Sequence, residues 1–432
     1  MSYFQKNVEC MPRGELTALQ GERLSALVKY VYERVSFYRA KMDAIKLKPS
    51  DVKSIADIVK LPFTDKNDLR DNYPFGMFAM PKKDVARIHA SSGTTGKMTV
   101  VGYSANDLDI WATVMARSLT CAGVTRESTV HVAYGYGMFT GGLGAHCGAE
   151  KIGAAIVPAS SGNTARQITF LKDFEATTLC CTPSYAAYIA ESLAEAGYTA
   201  KDLKLQSGVF GAEPWSEAMR AKIEKGLGIK AYDVYGLSEI MGPGVSIECD
   251  AREGLHVWED HFYPEILDAG LERVEDGKSG ELVFTTLTKE ALPLIRYRTR
   301  DLCTLDSSPC KCGRTHARMG KILGRTDDML IVRGINVFPS QIETVLMQTG
   351  YVSTNYQIVV GREKSTDTME VRVELNSDMF GDEVKKLESL RDDLEKRVYS
   401  ALGLKVRVRL VEQNTIPRSE GKAARVIDSR KL

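Results

Sequence analysis

The run His89-Ala90-Ser91-Ser92-Gly93-Thr94-Thr95-Gly96-Lys97 decides how this chain is read. Six of its nine residues are Ser, Thr or Gly, and a Lys closes it. Glycine lets backbone N–H groups converge, hydroxyls add donors, and the ammonium adds a point charge. Together they form a cradle for phosphate and point to a nucleotide-using enzyme. The spacing is not that of the common nucleoside-triphosphatase loop. That loop needs Gly at position 91, where Ser stands, and a metal-binding hydroxyl where this chain has Met98. A plain Gly-rich surface turn is the alternative reading.

Working outward, Leu16, Leu19, Leu24, Leu27, Val28, Val31, Val35 and Tyr38 recur at helical spacing, which predicts a helix over 15–45. Pro49, Pro62 and Pro74 then break a region of short elements, and an apolar segment at 85–88 leads into the cradle. Helices are expected over 105–122, 165–171, 184–196 and 217–227, the last opened by Pro214. Strands are expected over 128–133, 151–158, 207–212 and 230–234, with a Gly-rich linker between the first two. Cys180-Cys181 reads as part of a buried strand. Alternation of this kind predicts an α/β fold with a largely parallel sheet, which places ligands at loops after strand ends. From about 245 to 325 short strands take over, 280–286 being the clearest. The last hundred or so residues read as a small α+β domain: strands at 329–332, 368–375 and 405–411, a helix from Ser340, and a charged helix over 382–400. Polar Gly324-Arg325-Thr326-Asp327-Asp328 marks the boundary, giving domains 1–326 and 327–432.

At 432 residues the chain exceeds the size at which one core stops growing, so two domains are expected. Its 57 basic and 56 acidic residues nearly cancel, which leaves no general field for nucleic acid. The N-terminal residues lack a signal-peptide pattern and no stretch is apolar enough to span a bilayer, so a cytoplasmic protein with no membrane partner is expected. Nine cysteines, an odd number in a long chain, do not form a disulfide framework. Cys310-x-Cys312, preceded by Pro309 and followed by Gly313, can place two thiolates on one metal. Cys249 and His256, with Gly254 between them, would complete a Cys₃His set for structural zinc. Cys303, His261 and His316 are reserve ligands, and reduced cysteines without metal are the alternative.

Seven separated segments, in order, are similar to those of the phenylacetate–coenzyme A ligase family of the adenylate-forming superfamily. They are Ser91–Lys97, Ala133-Tyr134-Gly135-Tyr136-Gly137, Gly211-Ala212-Glu213-Pro214, Tyr235-Gly236-Leu237-Ser238-Glu239, Tyr297–Leu302, Gly324–Asp328 and Pro417–Lys422. The resemblance implies a large adenylation domain and a small mobile C-terminal domain. It also implies a two-step reaction within phenylacetate catabolism, using ATP, Mg²⁺ and coenzyme A, and a homodimer. Lys422 is implied as the lysine touching the acid carboxylate and the α-phosphate during adenylation only. Glu239 is implied to position Mg²⁺; a helix-start carboxylate is its alternative. Ser91, Ser92, Gly93, Thr94, Thr95, Gly96 and Lys97 would hold the departing phosphates, and Gly211, Ala212, Glu213 and Pro214 would pack beside adenine. Tyr235 and Gly236 would flank the base, Ser238 would contact phosphate, Asp301 would accept from the ribose hydroxyls, and Arg325 would support ribose or phosphate. Asp327 matches the hinge. Tyr134, Tyr136, Phe139 and Gly141 resemble the acid-binding wall, where aromatics enclose a flat ring and small residues leave room for an arylacetate. Another acid, another acceptor, or a non-catalytic nucleotide-binding role stays open. Arg296, Arg298 and Arg300 alternate along one extended segment, some of them as plain surface charge.

Overall fold

The computed structural model describes residues 2–91, 98–333, 335–363, 366–375, 384–419 and 423–431. Ser92 to Lys97 and Lys422 therefore lie outside the described residues. The centre is a nine-stranded sheet. Five of its strands run parallel, in the order Ala155–Val157, Thr129–Val132, Thr178–Cys181, Ser207–Gly211, Lys230–Leu237. Each strand-to-strand crossover carries a helix: Gly141–Ile152, Thr164–Asp173, Pro183–Glu195 and Glu217–Leu227. Gly242–Glu248 turns back antiparallel on Lys230–Leu237 and extends the sheet toward Leu255–Val257 and Arg318–Met319. A second, four-stranded antiparallel sheet is formed by Phe262–Leu267, Gly280–Thr286, Tyr297–Cys303 and Gly324–Arg325. The α/β expectation holds, and Cys180 and Cys181 are buried in their strand.

The C-terminal part has its own core, built around Val332, Ile342, Tyr356, Val371 and Val398. Its four strands lie in the order Arg407–Val411, Thr366–Leu375, Val352–Glu363, Val426–Asp428, with the central pair antiparallel and both edges parallel. Helices Pro339–Met347 and Val384–Leu402 pack with this sheet.

Two expectations are corrected. The helix expected over 15–45 is two helices, Arg13–Arg34 and Ser36–Ala44, broken at Val35, whose backbone is extended. The Arg39 side chain donates to the Tyr32 carbonyl at 2.8 Å and also to the Glu33 carbonyl, so it takes up acceptors that the interrupted helix leaves open. The second half of the expected Gly-rich linker is a helix, and the strand expected over 151–158 is only Ala155–Val157. Glycine is a poor helix former, but here it is a packing requirement. A Cβ on Gly144 would lie 2.7 Å from Trp111, and one on Gly148 would lie 2.6 Å from Met115, so this helix presses directly on Ala105–Cys121.

Candidate active site

Strands Arg87–Ser91 and Thr99–Tyr103, on either side of the 92–97 run, pair antiparallel as a hairpin with Ser91 opposite Thr99. The hairpin is stitched to the Gly-rich aromatic loop, because the Met138 carbonyl accepts from the Ala90 N–H at 3.1 Å and lies 3.0 Å from His89 Nδ1. His89 packs edge-on against Tyr103 and Trp111, which stack on each other at 5.1 Å. At the open end of the two strands, Ser91 Oγ and Thr99 Oγ1, together with His89 Nε2, are buried with no hydrogen-bond partner among the described residues. Buried polar atoms left unspent are costly unless something binds them, which suits a site built for a polar ligand.

Tyr103 links this hairpin to the turn that carries Glu239. Its hydroxyl donates to the carbonyls of Met241 at 2.9 Å and Ser238 at 3.2 Å. Ser238 and Glu239 lie in the turn between strands Lys230–Leu237 and Gly242–Glu248, so Glu239 does not open a helix. This turn is tight: a Cβ on Gly236 would stand 1.7 Å from the Gly242 carbonyl oxygen. Ser238 Oγ meets Thr140 Oγ1 at 3.1 Å. Beneath the turn Lys289, only 2% exposed, donates to the Glu239 carbonyl at 2.9 Å and lies 4.8 Å from the Tyr103 ring centre. Burial pulls its pKa down to about 8, against Asp107 and Glu239, which favour the ammonium. Nothing in the pattern around position 289 marks this lysine, because its neighbours come from distant segments.

Opposite lies a cavity of about 930 Å³ lined by Ala212, Glu213, Pro214, Tyr235, Asp301 and Arg325, among others. Ala212 takes a positive φ of 73° as the chain leaves the buried strand Ser207–Gly211. The Tyr235 hydroxyl donates to Asp301 Oδ2 at 2.6 Å, and Arg325 Nη1 donates to Oδ1 at 2.9 Å. Burial and then Asp301 push the Tyr235 phenol well above its usual pKa, so it is a donor at neutral pH. Burial opposes the charge on Arg325, but Asp301 and Asp327 outweigh it and hold the guanidinium protonated. The structure therefore brings together Gly236, Tyr235, Asp301, Arg325 and the 211–214 segment.

The other arginines of the segment are structural. Arg296 is buried and forks onto Glu265 at 3.0 and 3.1 Å, and Arg298 pairs with Glu281. Arg300 lies 3.6 Å from Asp65.

Of the residues expected at the acid wall, Tyr134 is buried and Gly141 lies against its ring. Tyr136 is half-buried and its hydroxyl lies 3.2 Å from His146 Nδ1, while His146 Nε2 lies 3.1 Å from Glu150. Phe139 is 57% exposed and so does not wall a closed pocket here.

Cys249, His256, Cys310 and Cys312 converge, with all four ligand atoms within 4.8 Å of one another and all four residues buried. Cys249 Sγ and Cys310 Sγ are 3.7 Å apart, matching the edge of about 3.8 Å that Zn–S bonds of ~2.3 Å give at a tetrahedral angle. Cys312 Sγ lies 3.2 Å from His256 Nε2, and His256 Nδ1 lies 3.0 Å from the His316 carbonyl, which orients the ring. Hydrogen bonding from Cys249 and His256 holds Cys312 well below the usual thiol range. The donor set, its spacing and its backing all fit zinc. The reserve ligands stand elsewhere: His316 Nε2 meets the Val8 carbonyl, and His261 meets Thr288 and Asp260.

No helix among the described residues is long and apolar enough to cross a membrane. The AMP-binding enzyme family profile matches residues 17–287, and that of the AMP-binding enzyme C-terminal domain matches 334–430. The chain is 51% identical to phenylacetate-coenzyme A ligase of Thermus thermophilus over 99% of its own length and 100% of that protein. It is 50% identical to phenylacetate-coenzyme A ligase of Escherichia coli, over 98% and 97%. It is similar to the crystal structure of 2-hydroxyisobutyryl-CoA ligase in the postadenylation state with 2-HIB-AMP, at TM-score 0.92 and 30% identity over 98% of this chain and 92% of that one. Against the same enzyme with 2-HIB-AMP and CoA in the thioesterification state, the TM-score is 0.74 at 31% identity, over 99% and 92%. The arrangement described here is thus closer to that of the postadenylation complex. The chain belongs to the phenylacetate–coenzyme A ligase family of adenylate-forming enzymes.

Proposed function

From that family membership we propose that the protein ligates phenylacetate, or a closely related arylacetate, to coenzyme A at the expense of ATP. In the first step a carboxylate oxygen of the acid attacks the α-phosphorus, and pyrophosphate leaves. In the second the coenzyme A thiol, losing its proton, attacks the acyl carbon and AMP leaves. The observation that carries this reading is the Tyr235–Asp301–Arg325 cluster on the wall of a nucleotide-sized cavity. Asp301 accepts from the ribose hydroxyls, Tyr235 and the 211–214 segment flank the base, and Arg325 supplies charge. Ser91, with residues 92–97, holds the phosphates that depart. Lys422 stabilises charge at the α-phosphate during adenylation.

Magnesium would be held by Glu239, a hard carboxylate, and would neutralise phosphate charge. Zinc would be held by Cys249, His256, Cys310 and Cys312; four protein ligands leave no position for substrate, so its role is structural. Tyr134, Tyr136 and Gly141 are assigned to the acid side, with Phe139 moving in when substrate binds. The domains divide at 326/327 with Asp327 as hinge, and the protein acts in the cytoplasm as a homodimer.

The test is acid-dependent formation of AMP and acyl–coenzyme A across phenylacetate, indoleacetate, benzoate and short fatty acids. Preference for one arylacetate with thioester formed supports the reading. AMP release without thioester replaces the acceptor, and preference for a short branched acid replaces the substrate. Lys422→Ala is expected to abolish adenylation while sparing thioester formation from supplied acyl-adenylate.

A further inference from the structure

Lys289 meets Glu239 through the backbone and not through the side chain. Its Nζ donates to the Glu239 carbonyl at 2.9 Å. The Glu239 carboxylate, on a residue only 6% exposed, makes no hydrogen bond or ion pair with any described residue. A buried carboxylate left in that state is costly unless a cation joins it. An ammonium paired with the carboxylate would neutralise the group that is to receive a metal ion. An ammonium spent on the carbonyl does not.

The backbone on both sides of Lys289 is pinned. Two residues before it, the Leu287 N–H donates to the His261 carbonyl at 2.8 Å. Directly after it, the N–H groups of Glu290 and Ala291 donate to the Asp107 carboxylate at 2.7 and 2.9 Å. The same carboxylate accepts from the Ser104 N–H at 2.9 Å, at the start of helix Ala105–Cys121. Ser104 follows Tyr103, whose hydroxyl holds the Ser238 and Met241 carbonyls and whose ring centre lies 4.8 Å from Lys289 Nζ. Asp107 thus fixes, from one point, both side chains that grip the turn. Between them they occupy the carbonyls of Ser238, Glu239 and Met241. Asp107 also offsets the ammonium charge, which would otherwise repel a metal ion.

Stability alone gives no reason for a lysine here. An apolar side chain in place of a buried charge is often neutral or better for folding. We propose that Lys289 is a positioning residue for magnesium: by holding the Glu239 carbonyl it fixes the turn and leaves the Glu239 carboxylate free for the ion. The proposal rests on the reading above, in which Glu239 holds that ion.

Lys289→Met is the discriminating variant, because Met has nearly the same length, suits an apolar site and cannot donate. Amide exchange of a peptide spanning 237–242 reads the grip on the turn, without any substrate. Pyrophosphate release with ATP and phenylacetate, in Mg²⁺ and then in Mn²⁺, reads its purpose. Mg²⁺ demands near-ideal octahedral geometry, so a displaced carboxylate should penalise it more than the larger Mn²⁺. We expect faster exchange at 237–242 and kcat in Mg²⁺ lowered about 10- to 100-fold, with KM for phenylacetate moved less than about twofold. The ratio of Mn²⁺ to Mg²⁺ rates should rise about threefold or more over wild type. If Lys289→Met does not fold, Lys289→Gln, which keeps a donor one bond shorter, carries the same comparison with smaller changes. Unaltered exchange would overturn the grip. An equal loss in both metals, or a loss matching only the fraction unfolded, would make Lys289 a structural residue and overturn its purpose. Glu239→Gln is run in parallel. Wild-type adenylation by Glu239→Gln would overturn the magnesium assignment and the purpose built on it. A wild type that makes no adenylate would overturn the ligase reading itself. In both cases the exchange result still decides whether Lys289 holds the turn.

Discussion

Arg325 donates to Asp301 at 2.9 Å and, with the rest of its guanidinium, forks onto Asp327 at 2.9 and 3.0 Å. The acid on the cavity wall and the proposed hinge residue therefore share one cation. Arg325→Ala would strip charge from both at once. Hydrogen bonds to charged groups are worth about 1.5–3 kcal/mol, so adenylation should slow roughly 10- to 100-fold. Asp327→Ala leaves the Asp301 contact and should cost less. Pyrophosphate-release kinetics at varied ATP check both, and equal effects would separate Arg325 from Asp301 in function.

The Cys₃His cluster should hold about one zinc per chain, measurable by elemental analysis of the purified protein. Removing it with a strong chelator, or by Cys312→Ser, should lower Tm by about 10 °C, since metal binding here is folding free energy. Specific activity per folded molecule should stay the same in the cold. A metal-free protein whose Tm ignores chelator would leave three reduced cysteines and a histidine.

Gly236→Ala places a methyl where the Gly242 carbonyl oxygen already stands, 1.7 Å away, with backbone on both sides. Neither partner can yield without parting the hairpin that carries Ser238 and Glu239. The expected cost exceeds about 3 kcal/mol, read as a collapse of soluble yield or of the urea midpoint. Surviving protein should lose adenylation before it loses nucleotide binding. A variant of wild-type stability would mean the turn is looser than described.

His261 is buried between Thr288 and Asp260, and burial pulls its pKa from 6.5 down to about 4, against the pull of Asp260. The unfolded chain takes up a proton below about pH 6.5, and the folded protein does not until about pH 4. Stability should therefore be full above 6.5, fall as pH drops from 6.5 to 4, and level off below. The integrated loss is roughly 3 kcal/mol. Buried His89, His131 and His316 are lowered too, so the informative quantity is the difference from His261→Gln. Urea midpoints between pH 7.5 and 4 should converge for the two proteins as the pH falls. Parallel curves would remove His261 from the acid transition.

Much of this protein was determined by short-range sequence. The 89–97 run, the Tyr235–Glu239 segment and Cys310-x-Cys312 stand out in the sequence because the chemistry expected of them depends on close spacing and on residue types that few other roles require. Alternating strand and helix patterns likewise predict the parallel sheet, since each element must bury one face. Tertiary structure alone decided the rest. Gly141–Ile152 is a helix despite its glycines because Trp111 and Met115 leave no room for side chains there. Lys289 reaches the Glu239 turn, and Glu213 joins Ser184 to Ala423, across separations of 50 and 210 residues that no local pattern records. Such contacts depend on where the backbone places two distant segments, and their energy comes from burial and exclusion of water, neither of which exists until the chain has folded.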